Sequence, residues 1–198
     1  LARELFSLEL ASEYGEFHDV ADSYAEILGK EGCAEFERLA REAWDKLPVR
    51  KAQPPIDPNM TAREYHEMRR RAMRAPINPA EESQEENRRV LTRIMATLAR
   101  RKGDFEALES VMSKDLSDAS AFMDLVLLCR QHKNFAKALE WARAGVGAFK
   151  YERFTGIEML LAEELRRANK HDEAVEIVWR HFSDRPSIAS FECLEKYA

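Results

Sequence analysis

Gln131-His-Lys-Asn-Phe-Ala-Lys-Ala-Leu139 is the stretch that decides the fold. Its first residues close an apolar-periodic segment, its middle is a short polar turn, and Phe135 opens a second periodic segment, so it reads as two helices joined tightly and packed antiparallel. The pattern returns in Arg101-Lys-Gly-Asp-Phe-Glu-Ala-Leu108 and Ala168-Asn-Lys-His-Asp-Glu-Ala-Val175, with an N-terminal echo in Glu13-Tyr-Gly-Glu-Phe17. The turn positions Lys133 and Asn169 stand 36 residues apart, a spacing that suits an array of repeated helix pairs.

Outward from these turns, apolar residues recur at i, i+3, i+4 and i+7, and strict alternation never lasts long enough for a strand. Residues 1–14 read as a helix stopped by Gly15. Phe17, Val20, Ala21, Tyr24 and Leu28 form one stripe, and Phe36, Leu39, Ala40, Ala43 and Leu47 form the next. Gly29 and Gly32 should separate them, supplying the left-handed conformation a helix end needs. Pro48, Pro54, Pro55 and Pro58 predict an extended loop over 48–59, because they fix φ and remove donors. Thr61 with Glu64 has capping-box spacing ahead of a stripe of Tyr65, Met68 and Ala72. Residues 75–78 should end that helix. Asn78, Pro79 and Glu81 mark the start of another, which buries Val90, Leu91, Ile94, Met95 and Leu98. The expected organisation is N-terminal helices over 1–47, a proline-rich loop over 48–60, and a helical-repeat region over 61–198 continuous with 1–47 as one α-solenoid.

The 198 residues are 45% hydrophobic with only 7 Gly and 7 Pro, which suits a helical globular chain. A net charge of -5 argues against a chain whose main task is holding nucleic acid, since that binding draws on neutralised phosphates. Cys33, Cys129 and Cys193 are odd in number and each lies in an apolar helical pattern, so they read as buried thiols of a reducing compartment. No stretch approaches the roughly 18 uninterrupted apolar residues of a membrane span. The expectation is therefore no membrane partner and, by default, a cytoplasmic location. The chain begins at Leu1 rather than at methionine, which leaves room for an upstream domain.

Phe122, Leu125, Ala138 and Phe149 with Lys150 resemble the first aromatic, leucine, alanine and repeat end of a tetratricopeptide repeat; Leu161, Ala162, Ala174, Phe182 and Pro186 resemble them in the next. Val126 stands where that family has a small residue, and Lys133 where it prefers glycine. The resemblance implies an all-α fold, a tetratricopeptide-like α-α superhelix of stacked antiparallel helix pairs, and packing rather than chemistry. A narrower likeness covers Ala138-Leu-Glu-Trp-Ala142, Leu161-Ala-Glu-Glu-Leu165, His171-Asp-Glu-Ala174, Trp179-Arg-His-Phe182 and Arg185-Pro-Ser187, with Leu28-Gly-Lys-Glu-Gly32 and Gly103-Asp-Phe105 upstream. These stretches resemble the C-terminal helical region of bacterial SWIM zinc-finger proteins and of related uncharacterised bacterial proteins. That family's finger needs Cys-x-Cys followed by Cys-x-His, which this chain lacks, so the resemblance implies a finger that is absent or upstream.

The residues nominate no chemistry of their own. His18, His66, His132, His171 and His181 show no metal-ligand spacing. No serine or cysteine sits in a triad-like pattern, and the glycines are scattered singly rather than gathered into a phosphate loop. The expectation is a protein that is not an enzyme and needs no cofactor or metal. Arg63, Arg69, Arg70, Arg71 and Arg74 outnumber Glu64 and Glu67 ahead of the acidic run Glu81, Glu82, Glu85 and Glu86. They form either a basic patch for phosphate or an acidic partner, or a solvated face that pairs with the acidic run; the second reading is favoured. If the first helix of each pair lines a concave side, Met123, Leu127, Arg130 and Gln131 lie beside Glu163, Arg166 and Arg167, a candidate contact face for a peptide carrying carboxylates. The expected function is a non-enzymatic helical-repeat scaffold for protein or peptide binding, with homo-oligomerisation within its reach. The alternative is an accessory module of a nucleic-acid-associated SWIM-type protein.

Overall fold

A computed structural model of the chain describes residues 1–11, 23–51, 60–74, 79–150 and 155–197. The described residues are all-α, with ten helices and no strand. These are α1 (Ala2–Ala11), α2 (Ala25–Asp45), α3 (Ala62–Arg74), α4 (Pro79–Lys102), α5 (Phe105–Met112), α6 (Ala119–Gln131), α7 (Phe135–Ala148), α8 (Thr155–Arg167), α9 (His171–Asp184) and α10 (Ile188–Glu195). They divide into two compact units, one of residues 1–49 and 71–114, the other of 50–70 and 115–198.

The three turns that decide the fold share one backbone device. Gly103, Lys133 and Asn169 each take a left-handed φ, between 56° and 64°. The next amide reaches back five residues in every case: Asp104 to the Ala99 carbonyl, Asn134 to Cys129 and Lys170 to Leu165. The left-handed residue itself bonds three back, to Arg100, Arg130 and Arg166. That pair of bonds is the Schellman closure of a helix C-terminus. Asp104 and Asn134 then cap the following helices by accepting from the Ala107 and Lys137 amides, so one helix ends and the next begins with its orphan groups satisfied.

In the first unit, α1 and α4 pack on α2 and α5 packs on α4. Phe6 meets Phe36 edge-on at 5.6 Å, and the buried face of α2 continues through Ala40 to Trp44. That i, i+4, i+8 line differs from the expected stripe: Leu39, Ala43 and Leu47 lie on its flank and are half-buried. Val90, Leu91, Ile94, Met95 and Leu98 are buried along α4 as the periodicity predicts. Glu9 is also buried, with Arg93 Nη2 3.7 Å from its carboxylate. Gly29 breaks the helical run with φ 61°, whereas Gly32 lies within the helix. One glycine thus does the work expected of two. The thiols correct another expectation, since Cys129 is buried but Cys33 and Cys193 are half-exposed.

Thr61 and Glu64 form the expected capping box at α3, the Thr61 amide donating to the Glu64 carboxylate at 2.8 Å and the Glu64 amide to Thr61 Oγ1 at 3.3 Å. Tyr65 is fully buried and Met68 half-buried. Gly15, the echo at 13–17, Phe17, His18, Val20, Ala21, the loop residues 52–59, residues 75–78 and the side chains of Ala72 and Glu81 lie outside what the structure describes.

In the second unit, α6 packs on α7 and α8, α8 on α7 and α9, and α9 on α10. Its core gathers Ala119, Phe122, Phe149 and Ile157, with the Phe122 ring set edge-on against Phe149 at 5.9 Å and Trp141 at 6.1 Å. Ala138 and Ala174 are completely buried at equivalent places on α7 and α9, where only a small side chain lets paired helices approach closely.

Candidate functional site

The seam between α6 and α8 holds most of the residues nominated as a peptide face. Arg130, in the last turn of α6, has a side chain 19% exposed, with Nη2 2.7 Å from Glu163 Oε2. Its Nε also donates to Glu164, whose carboxylate is wholly buried. Arg167 Nε lies 3.5 Å from the other Glu164 oxygen, and its guanidinium stacks 4.5 Å from the centre of the Phe135 ring. Arg166 covers the Tyr197 ring at 4.8 Å and donates to the Lys196 carbonyl at 3.4 Å. Burial pushes the Tyr197 phenol up, with Glu163 adding in the same direction and Arg166 opposing. Arg130, Glu163 and Arg167 thus lie together around the chain's own Glu164. Met123 packs on the Phe122 cluster, while Leu127 and Gln131 are exposed.

The arginines of α3 are engaged locally. Arg63 Nε lies 3.2 Å from Glu67, Arg69 donates to the Tyr65 hydroxyl at 3.3 Å, and Arg70 donates to the His66 carbonyl at 3.3 Å. Arg71 is exposed, and the Arg74 side chain lies outside the described residues. From the acidic run, Glu85 and Glu86 pair with Arg89 of their own helix, at 3.8 and 3.6 Å.

Two shallow clefts lie in the first unit, of about 290 and 420 Å³, and share Glu37, Leu98 and Lys102. Lys102 bridges to Glu37 across them and, by that hydrogen bond first, holds the Glu37 carboxyl below its ordinary value. Among the described residues no three His, Cys, Asp or Glu side chains group as metal ligands. His66, His132 and His171 are exposed and His181 is half-buried.

The surface that sequence reasoning missed lies at α9 and α10. Trp179 is 56% exposed, Phe191 51% and Ile188 81%. The Trp179 and Phe182 rings are 6.0 Å apart, and Phe182 and Phe191 6.1 Å, so they form one continuous aromatic ledge. Ser187 and Ser190 lock the start of α10 in a reciprocal capping box, which fixes Ile188 and Phe191 one helical turn apart on its outer face. The signal was present in the sequence. Once Ala174, Ile177 and Val178 define the buried stripe of α9, Trp179 falls outside it; a Trp-x-x-Phe pair read as a family motif hid that.

No family model, no curated protein and no solved structure matches this chain.

Proposed function

We propose that the chain is a non-enzymatic helical-repeat scaffold, tetratricopeptide-like in its stacked helix pairs, that binds protein partners through the ledge of Trp179, Phe182, Ile188 and Phe191. The observation that carries this reading is the exposure of that ledge, because apolar surface held in water on a helical face costs free energy that is released when a partner covers it. The repeat reading is supported by the thrice-used Schellman turn and by the packing of α6 on α8, the first helices of successive pairs. Aromatic anchors on helices also bind at low entropic cost, since few side-chain torsions have to be frozen.

The resemblance to SWIM zinc-finger proteins leaves a nucleic-acid-linked role as the competing proposal, and α3 would carry it. Quantitative affinity purification from the cells of origin separates the two. Trp179→Ser with Phe191→Ser should remove specific protein partners while the chain stays folded and helical by circular dichroism, whereas Glu at Arg69, Arg70 and Arg71 should leave them in place. Retention of every partner by the first variant would overturn the scaffold reading, and loss of bound nucleic acid in the second would replace it.

A further inference from the structure

We propose that the occupant of this ledge is a second copy of the chain, with the two α10 helices lying antiparallel about a two-fold axis level with Ser190, beside Phe191; the proposal rests on the scaffold reading above and names its partner. The ledge is self-complementary. Arg185, exposed at the corner before α10, and Glu195, exposed at its end, lie five residues either side of Ser190. A two-fold axis beside Ser190 and Phe191 therefore sets each Arg185 against Glu195 of the other copy, and stacks Phe191 on its own counterpart. Ile188 then lies along the aliphatic stem of Glu192 from the opposite helix. One patch satisfies its own aromatic centre and both charged ends, which is what an isologous contact requires.

The area sets the strength. From their exposures, Trp179, Ile188 and Phe191 offer on the order of 400 Å² of apolar surface per copy, within the roughly 300–600 Å² of the largest patch on a typical monomer, a patch that is often functional. Two such faces bury roughly 800 Å², below the roughly 1,200–2,000 Å² of stable complexes, so the dimer is weak, reversible and concentration-dependent rather than obligate.

Sedimentation equilibrium of the full chain from about 1 to 500 µM, a range that brackets a weak dissociation constant, should show the mass rising from one chain toward two. Trp179→Ser with Phe191→Ser should stay at one chain throughout. Arg185→Glu and Glu195→Arg should each weaken the dimer, about three- to tenfold as exposed ion pairs allow, and the two changes placed together in one chain should restore it, because in an isologous contact both swapped pairs re-form. A chain that stays monomeric over the whole range overturns the proposal. So does a dimer that survives the Trp179/Phe191 variant, or charge changes that add instead of cancelling. A monomer whose ledge variants still lose protein partners would sink the second copy and leave the scaffold reading standing.

Discussion

Gly145 and Gly147 stand two residues apart on α7 and meet opposite surroundings. A Cβ added at Gly145 would lie 2.9 Å from Phe122 Cβ and 3.0 Å from Ile157 Cγ1, whereas at Gly147 nothing comes within 4 Å. Replacing a helical glycine by alanine stabilises by roughly 0.5–1 kcal/mol through backbone entropy alone, and overpacking a dense core costs about 1–3 kcal/mol. The core term should win at Gly145, where both obstructing atoms belong to buried, rigidly held side chains. Gly145→Ala should therefore lower the urea midpoint, and Gly147→Ala should raise it slightly. Equal responses would show that α7 and α8 are farther apart than described. Lys133 and Asn169 make the complementary point, because each non-glycine residue holds a left-handed φ that an L side chain adopts at some strain. Spacing against the tetratricopeptide pattern already puts Lys133 in a glycine's place, and the left-handed φ with its hydrogen-bond register shows that Lys133 and Asn169 take the conformation that place demands.

Helix boundaries were legible in the sequence wherever a local device sets them, as with the Thr61–Glu64 box and the three repeated turns, because capping and closure depend on residues within five positions. The α6–α8 seam was half legible. Spacing put Arg130, Glu163 and Arg167 on neighbouring helices, but a buried glutamate cannot be told from an exposed one by spacing, so the sequence did not show that Glu164 already engages Arg130 and lies beside Arg167. Removing Arg130 alone leaves the Glu164 carboxylate buried, with Arg167 as its more distant cation. Arg130→Met should thus cost about 3 kcal/mol, and adding Glu164→Leu should recover much of it, giving a coupling on the order of 2 kcal/mol in a denaturant double-mutant cycle. Simple additivity would show that the pair is not a unit. On the exposed side of α2 the electrostatics are local. The hydrogen bond from Arg38, with Arg3 assisting, pulls the Glu35 carboxyl from its ordinary 4.5 to about 2. A pKa depressed in the folded chain means a contribution to stability present above about 4.5 and lost as pH falls through about 2. Carboxyl NMR titration should find Glu35 at the low end of that window in the native chain and shifted up toward its ordinary value in Arg38→Ala, with Arg3 holding back part of the rise; a midpoint unmoved by the substitution would assign the shift elsewhere.

Across the whole molecule, the all-α class follows from periodicity that recurs on both sides of the proline-rich stretch 48–59, but the division into units does not, because it depends on which distant helices meet. The second unit takes residues 50–70 as well as 115–198, and a reading that works along the chain has no signal for such interleaving. The join is visible at Arg50, whose carbonyl accepts from the Leu116 amide at 2.9 Å and whose guanidinium lies 3.7 Å from Asp115. The same short segment carries the buried Tyr65. A fragment of residues 115–198 keeps α6 to α10 and their mutual packing, and so should remain helical by circular dichroism. It forgoes one backbone hydrogen bond at about 1 kcal/mol and a half-exposed ion pair at under about 1 kcal/mol. The fragment's unfolding free energy should accordingly fall short of the same unit's in the full chain by about 1–2 kcal/mol, and supplying residues 50–70 as a separate peptide should recover part of it. A fragment as stable as the parent unit, indifferent to the peptide, would show that 50–70 contributes nothing to the fold of the second unit and that its boundary belongs at Asp115.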